Sequence, residues 1–150
     1  MTALKKRNVT LDSNILISYI ISKRDNTIVK KVVIKSITDD RLMLTDVICD
    51  ECRKYAGKKG ATVTEDDISN KLIEICPGII NISPVPSEEE LLKKYNIRDK
   101  SDLKILYSVE MTDSVILVTL DDDFTDVKNL RAKIMRPGEY LYEESKKEQM

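Results

Sequence analysis

Short apolar runs of strand length alternate with segments of helical periodicity along this chain. The first run covers residues 8–12, and the most apolar one covers residues 115–120. Between the runs, apolar residues recur at helical spacing, for example at Val29, Val32 and Val33. Because strands that are apolar on both faces must be covered on both sides, this alternation predicts an α/β sandwich with a central parallel sheet and helices on both faces.

The pattern assigns every part of the chain to one domain, residues 1–150, because it shows no linker or repeat and the length suffices for a full core. Strands are expected at residues 8–12, 42–44, 79–82, 115–120 and 132–135. Helices are expected at residues 14–21 and 28–37, after Thr45 or Asp46, after capping boxes at residues 64–67 and 87–90, after Ser101 and after Pro137. Asp25 or Asn26 is expected to cap the second helix, and Lys35 is expected on its solvent side.

Histidine is absent from the sequence. This excludes Ser-His-Asp and Cys-His triads, histidine-based zinc sites and any imidazole general base. The 25 basic and 26 acidic residues give a net charge of −1, so the chain has no overall basic field that would indicate nucleic-acid binding. Its three cysteines are typical of free thiols in a reducing compartment. Neither a signal peptide nor an apolar run of about 18 residues is found, so we expect a cytoplasmic protein without a membrane span.

Acidic residues occupy the positions from which side chains can converge at one edge of the predicted sheet. Asp12 and Asp121 each follow an apolar strand, and the crevice of a parallel sheet lies at the carboxyl ends of its strands. Glu51 lies on the apolar stripe of the third helix, and Asp102 lies one turn before the apolar face of a later helix. Two more acids could join or replace members of this set: Asp99 and Asp123.

Four convergent carboxylates without a basic partner repel one another unless a hard cation neutralises them. Ligand sets made only of oxygen suit Mg²⁺ or Mn²⁺. Such an ion lowers the pKa of a bound water molecule and stabilises charge on a phosphoryl oxygen. Since any one acid alone could equally be a helix cap, the prediction of metal-assisted phosphodiester hydrolysis depends on the whole set.

Four segments resemble the PIN-domain ribonucleases, and the resemblance spans most of the chain. They are Val-Thr-Leu-Asp-Ser-Asn-Ile-Leu at residues 9–16, Thr-Asp-Val-Ile-Cys-Asp-Glu at 45–51, Asp-Leu-Lys-Ile-Leu at 102–106 and Val-Thr-Leu-Asp-Asp-Asp-Phe at 118–124. The last segment carries a Thr-x-Asp-x-Asp-Phe motif and is the most specific. The resemblance implies a sheet of order 3-2-1-4-5 and a divalent-metal-dependent endoribonuclease that hydrolyses RNA. It also implies frequent use as the VapC-type toxin of a toxin–antitoxin pair.

The resemblance assigns roles to individual residues. It places the family's catalytic and metal-binding acids on Asp12, Glu51, Asp102 and Asp121. It makes Asn14 and Thr119 polar supports and Asp123 an auxiliary metal ligand. Leu103 follows the third acid where the family commonly has a small residue, so Asp99 stays open as the alternative to Asp102.

The substrate and the partners follow less directly from the residues. The basic residues near the proposed acids are the expected contacts to the RNA backbone: Arg53, Lys54, Arg98, Lys100 and Lys104. Aromatic residues make up 5% of the chain, so no base-stacking platform is predicted. An antitoxin partner and a homodimer are expected mainly from the resemblance. The helices at residues 14–21 and 28–37 also carry more apolar residues than one sheet face covers.

Two other functions stay open. A PIN-type module whose acids are only structural would serve as an RNA-binding or scaffold protein in RNA processing. A phosphohydrolase of the haloacid-dehalogenase type would use Asp12 as its nucleophile, but that family has a second aspartate where this chain has Asn14. Cys49 and Cys52 have the spacing Cys-x-x-Cys, and we expect them to pack in the core. A zinc site needs four ligands, and only Cys76 remains as a third.

Overall fold

The computed structural model describes residues 6–22, 27–96, 102–121, 124, 127 and 129–143, together with the backbone of residues 144–148. Its strands are β1 (Asn8–Leu11), β2 (Arg41–Met43), β3 (Ile116–Val118) and β4 (Lys133–Met135). Its helices are α1 (Ser13–Ile21), α2 (Ile28–Thr38), α3 (Asp46–Arg53), α4 (Glu65–Ile75), α5 (Glu88–Tyr95), α6 (Leu103–Met111) and α7 (Pro137–Glu148). A 3₁₀ turn at Lys54–Gly57 follows α3.

The strands form one parallel sheet of order β2-β1-β3-β4. Val9 of β1 is paired with Leu42 of β2 on one side and with Ile116 of β3 on the other. The central strands β1 and β3 are almost wholly buried, as strands covered on both faces must be. The predicted α/β class with a central parallel sheet flanked by helices is therefore confirmed.

The predicted strand at residues 79–82 is reduced to a single bridge. Ile80 pairs with the segment that follows β2: its N–H donates to the carbonyl of Leu44 at 2.8 Å, and its carbonyl accepts from the N–H of Asp46 at 2.9 Å. The ladder ends there because Asp46 begins α3, and the Asp46 carboxylate accepts the next N–H, from Ile82. The bridge at Ile80 thus lies where the order 3-2-1-4-5 puts the third strand, but the sheet within the described residues has four strands instead of the predicted five.

Three helix starts are set by the hydroxyl side chains that the sequence suggests. Thr45 caps α3, Ser87 caps α5, and Thr64 forms a capping box with Asp67 at the start of α4. The second helix is an exception, because its cap is Thr27, whose side chain accepts from the N–H of Lys30. The residues predicted for that role, 25 and 26, lie outside the described residues.

A charged cluster at the opposite edge from the carboxyl ends of the strands holds α7 against α2. Asp40, just before β2, accepts hydrogen bonds from Arg7 and from the hydroxyl of Tyr140 in α7. Lys35 donates to the carbonyl of Tyr140 at 3.2 Å, and its Nζ lies 3.6 Å from the centre of the Tyr140 ring. Lys35 is therefore buried, and its predicted position on the solvent side is wrong.

Burial alone would raise the pKa of Asp40, but hydrogen bonds from Arg7 and Tyr140 and the charges of Arg7 and Lys35 outweigh it, so the pKa lies below its ordinary value. Asp40 is thus ionised in the folded protein and neutralises the buried Lys35. In the part of the chain that the structure describes, no helix has both the length and the apolar character needed to cross a bilayer.

Candidate active site

Asp12 connects the central strand β1 to helix α1. Its N–H continues the sheet with a 2.9 Å hydrogen bond to the carbonyl of Val118. Its side chain caps α1, because Oδ1 accepts from the N–H of Ser13 at 2.7 Å. Asp12 is only 3% exposed, so a carboxylate is held inside the protein at the carboxyl end of β1.

Thr119 links Asp12 to the acid that follows β3. Its hydroxyl donates to Oδ2 of Asp12 at 2.7 Å and accepts from the N–H of Asp121 at 3.0 Å. Thr119 is fully buried, and its N–H donates to the carbonyl of Met135 at the end of β4. The structure therefore brings Asp12 and Asp121 together around one hydroxyl group that the sheet holds in place.

Two other predicted site residues lie at the starts of helices. Asn14, in the first turn of α1, accepts at Oδ1 from the N–H of Leu120 at 3.4 Å, which ties the helix to the turn that carries Asp121. Asp102 occupies the N-cap position of α6 and is 9% exposed. The side chain of Asn14 is thus held by a hydrogen bond, and Asp102 is buried at the start of α6.

The buried acid is electrostatically strained. Burial raises the pKa of Asp12, the hydrogen bonds from Thr119 and Ser13 lower it, and the charge of Asp121 raises it further, with a net increase. Burial also raises the pKa of the Cys52 thiol, and the charges of Cys49, Asp12 and Glu51 add to that increase. The carboxylate of Asp12 therefore favours a nearby positive charge, whereas Cys52 stays a protonated thiol.

The cysteines show the same preference for the protonated state. Burial raises the pKa of Cys49 to about 11 and raises that of Cys76 as well. Cys49 and Cys52 are buried against the apolar core. These observations agree with the packing role predicted for the Cys-x-x-C segment.

Glu51 on α3 lies beside a hollow in the protein surface. Its side chain is 25% exposed and forms a 3.0 Å ion pair with Lys54 one turn later. The hollow has a volume of about 200 Å³, and its lining includes Glu51, Lys54 and Lys104. The prediction that Glu51 points inward is therefore only partly matched, since the carboxylate is half-buried and already has a basic neighbour.

Several predicted site residues do not join this arrangement or lie outside the described residues. Arg53 is engaged within the protein, since its guanidinium donates to Ser69 and pairs with Asp50. Four predicted site residues lie outside the described residues: the RNA contacts Arg98 and Lys100 and the acids Asp99 and Asp123. The choice between Asp99 and Asp102 as third acid therefore stays open.

The donor chemistry of the described residues can be compared with the needs of a divalent metal ion. Thr119 contacts the carboxylate of Asp12 and the backbone N–H of Asp121, and the raised pKa of Asp12 reflects both its burial and the charge of the Asp121 carboxylate. This donor chemistry fits a hard divalent cation. Among the residues that the structure describes, however, no three acidic or cysteine side chains already lie close enough to enclose a metal ion.

Sequence reasoning missed Arg136, which lines a pocket of about 390 Å³ together with Thr119 and Asp121. The same rule that found Asp12 and Asp121 would have found it, because Arg136 directly follows β4. The candidate site therefore extends along the carboxyl edge of the sheet from β1 to β4.

Comparisons with known proteins agree with this fold. VapBC2 from Rickettsia felis, whose crystal structure was solved bound to a DNA fragment from their promoter, is 18% identical, with a TM-score of 0.61 over 85% of this chain and 98% of that one. FitAB bound to an IR36 DNA fragment is 15% identical, with a TM-score of 0.59 over 86% and 94% of the two chains. The comparison with curated proteins finds no match. The sequence profile of the PIN domain matches residues 9–130, which is well over half of the chain. The chain therefore belongs to the PIN domain family.

Proposed function

We propose that this protein is a divalent-metal-dependent endoribonuclease and the toxin of a toxin–antitoxin pair. PIN domains are generally nucleases, which gives the reaction class. The observation that carries the proposal is the arrangement of Asp12 and Asp121 around Thr119 at the carboxyl edge of the sheet. Buried or half-buried acids in that position favour a cation and are poorly explained by helix capping alone.

The acids would hold Mg²⁺ or Mn²⁺, with Asp12 and Asp121 as the central pair and Glu51, Asp102 and Asp123 as the further ligands. When bound, such an ion supplies an acidified water molecule and neutralises charge that develops on the phosphate. Thr119 keeps Oδ2 of Asp12 in place by donating its hydroxyl hydrogen. Ser13 does the same for Oδ1 through its N–H, so the orientation of the carboxylate is fixed before substrate binds.

Basic residues beside the acids would bind the RNA backbone. Lys54 and Lys104 line the hollow next to Glu51, and both are exposed. Lysines in such a position neutralise phosphates and do not discriminate between bases. Arg53 is a weaker candidate than at first expected, because its guanidinium already contacts Ser69 and Asp50.

A protein partner would inhibit the enzyme. The similarity in fold to VapBC2 and FitAB supports such a partner, as does the resemblance to VapC-type toxins. An arginine or lysine that the partner inserts toward Asp12 and Asp121 would pair with the charges that attract the metal ion. Metal and inhibitor would then compete for the same carboxylates.

A homodimer is also proposed, and exposed isoleucines support it. Ile28, Ile34 and Ile37 of α2 are 52%, 56% and 39% exposed, and Ile21 at the end of α1 is 37% exposed. Isoleucine side chains left in water on neighbouring helices form an apolar surface that association would bury. The surface lies on the helices for which the sequence predicted an excess of apolar residues.

The second candidate function is a PIN-type module that binds RNA or acts as a scaffold without efficient catalysis. The observation that favours it is the absence, among the described residues, of three clustered acids. The two functions are separated by incubating the full chain with end-labelled RNA in Mg²⁺, in Mn²⁺ and in excess chelator. The proposal expects metal-dependent new ends within the RNA, and binding without any cleavage would establish the second candidate.

A further inference from the structure

The pocket of about 390 Å³ beside Asp121 has a wall chemistry that differs from that of the acidic site. Its apolar lining comes from residues on three segments: Phe124, Val127, Leu130, Ala132, Ile134 and Met135. Its charged lining consists of Asp121, Arg136 and Glu139. Arg136 and Glu139 are exposed, whereas Phe124 and Met135 are buried. The pocket therefore combines apolar side chains in its wall with polar and charged groups, which make up the larger part of its accessible lining.

The pocket is fixed relative to the acids. Thr119 donates its N–H to the carbonyl of Met135 at 3.0 Å, and Arg136 is the next residue. The N–H of Arg136 donates to Oε1 of Glu139 at 3.2 Å, which joins the end of β4 to the first turn of α7. A ligand that reaches Asp121 is thus next to the apolar wall and to Arg136.

The shape and charge of the pocket suit a nucleobase. Its volume lies within the range of about 300–1,000 Å³ that is typical of small-molecule sites. The carboxylates of Asp121 and Glu139 disfavour a phosphate inside it, but a base is neutral and has two apolar faces. Arginine can stack on a base or donate hydrogen bonds to its edge, and unstacked bases of single-stranded RNA are recognised in this way.

We propose that this pocket binds one unstacked base of the RNA, that of a nucleotide adjoining the scissile phosphate, and that Arg136 contacts that nucleotide. The proposal rests on the proposed nuclease function, because it places the phosphate of the same nucleotide at Asp12 and Asp121. It assigns the choice of cleavage position to the wall of the pocket, whereas Lys54 and Lys104 bind the backbone without preference.

Two variants and a matched control test the proposal on the full chain. Val127→Trp fills the pocket from a half-buried wall position, and Arg136→Gln removes the guanidinium. Arg131→Gln is the control, since Arg131 is an exposed arginine before the opposite end of β4 and does not line this pocket. Thermal melts followed by circular dichroism establish that each variant is folded.

The first probe is a fluorescent oligoribonucleotide. The other probes are copies of it in which one ribonucleotide next to the cleaved bond, on either side, is abasic. If the protein cleaves no bond in the oligoribonucleotide, the abasic ribonucleotide is placed at each successive position instead. Binding is measured by anisotropy in excess chelator, so cleavage is not needed. For the wild type, one abasic position should weaken binding about fivefold or more, the lower end of what one stacked base contributes. Val127→Trp should bind intact and abasic RNA equally, Arg136→Gln should lose most of the preference, and Arg131→Gln should keep it.

The outcomes separate this inference from the proposed function. Wild-type cleavage with no effect of any abasic position overturns the base subsite and leaves the nuclease intact. Base-dependent binding without cleavage in any metal supports the subsite and overturns the nuclease function. The absence of any RNA binding overturns both. If Val127→Trp weakens binding of a co-purified protein partner but not of RNA, the pocket belongs to that partner and the inference is wrong.

Discussion

The hydroxyl of Thr119 donates a 2.7 Å hydrogen bond to Oδ2 of Asp12, a residue 107 positions earlier in the chain. The same hydroxyl accepts from the backbone N–H of Asp121, so a single buried side chain links the carboxylate of one acid to the backbone of the other. The two acids follow different strands, β1 and β3, so this link between them depends on the side chain of Thr119. Thr119 is thus a positioning residue for the candidate site.

Thr119→Val tests this role, because valine has nearly the same shape and donates no hydrogen bond. The loss of a hydrogen-bond donor to a buried carboxylate costs roughly 1–3 kcal/mol, so the free energy of unfolding should fall by that amount. Thr119→Ser should restore most of it. Urea denaturation gives both values, and equal stability of the valine and serine variants would show that the hydroxyl contributes nothing.

Divalent metal should stabilise the folded protein. The carboxylates of Asp12 and Asp121 are brought together only in the folded state, and a ligand that binds this state alone adds about 2.7 kcal/mol at one hundred times its Kd. The melting temperature should therefore rise with Mn²⁺. Asp12→Asn should melt no lower than the wild type without metal, because the variant removes a buried charge, and should lose the response to Mn²⁺. Equal Mn²⁺ responses in the two proteins would place the metal elsewhere.

Acid should weaken the cluster that joins α2 to α7. The pKa of Asp40 is lower in the folded protein than its ordinary value of 3.8, so its ionised form contributes stability above that pH. This contribution is lost as the pH falls through the lower, folded pKa. Asp40→Asn should lose on the order of 3 kcal/mol at neutral pH, because it removes the buried carboxylate that faces Arg7 and Lys35, and should be less sensitive to acid.

The control for this prediction is Asp39→Asn, which changes the neighbouring exposed aspartate. It should leave both the stability at neutral pH and the acid dependence close to those of the wild type. Thermal melts between pH 7 and pH 3 measure all three proteins. Parallel pH profiles for wild type and Asp40→Asn would exclude Asp40 as the source of the acid sensitivity.

The exposed isoleucines should hold two copies of the chain together. Ile34→Glu places a charge on an apolar side chain that is 56% exposed, so it should convert a dimer to a monomer without unfolding it. Ile73→Glu is the matched control, since Ile73 on α4 is 50% exposed. Light scattering after size exclusion measures the mass. A wild type that stays monomeric at high concentration would contradict the dimer.

Much of the fold follows from local patterns that the sequence displays directly. The run at β3 is wholly apolar, and the run at β1 alternates apolar residues with Asn8 and Thr10, so both are predictable as strands. The run at residues 79–82 also consists mainly of β-branched residues, but a strand also needs an extended partner. The segment beside it turns into α3 at Asp46, and this long-range fact is invisible in a local pattern.

The site was predictable to the extent that it lies at strand ends. Asp12 and Asp121 were expected together because parallel strands end at one edge, and they share Thr119. Arg136 follows a strand too, but β4 is short and begins with an exposed lysine, so its sequence is a weaker strand signal than those of β1 and β3. Lys35 was assigned to solvent by its charge, whereas its burial depends on Asp40 and Tyr140, which lie in other elements.

Cleavage of RNA by Asp12→Asn tests the central claim most directly. The variant keeps the size of the side chain and removes the charge that a metal ion needs, and Asp66→Asn on the exposed first turn of α4 is its control. In Mn²⁺, wild type and Asp66→Asn should cleave at equal rates, and Asp12→Asn should be slower by a factor of about 100 or more. Cleavage by purified, nuclease-free Asp12→Asn at the wild-type rate would contradict the account.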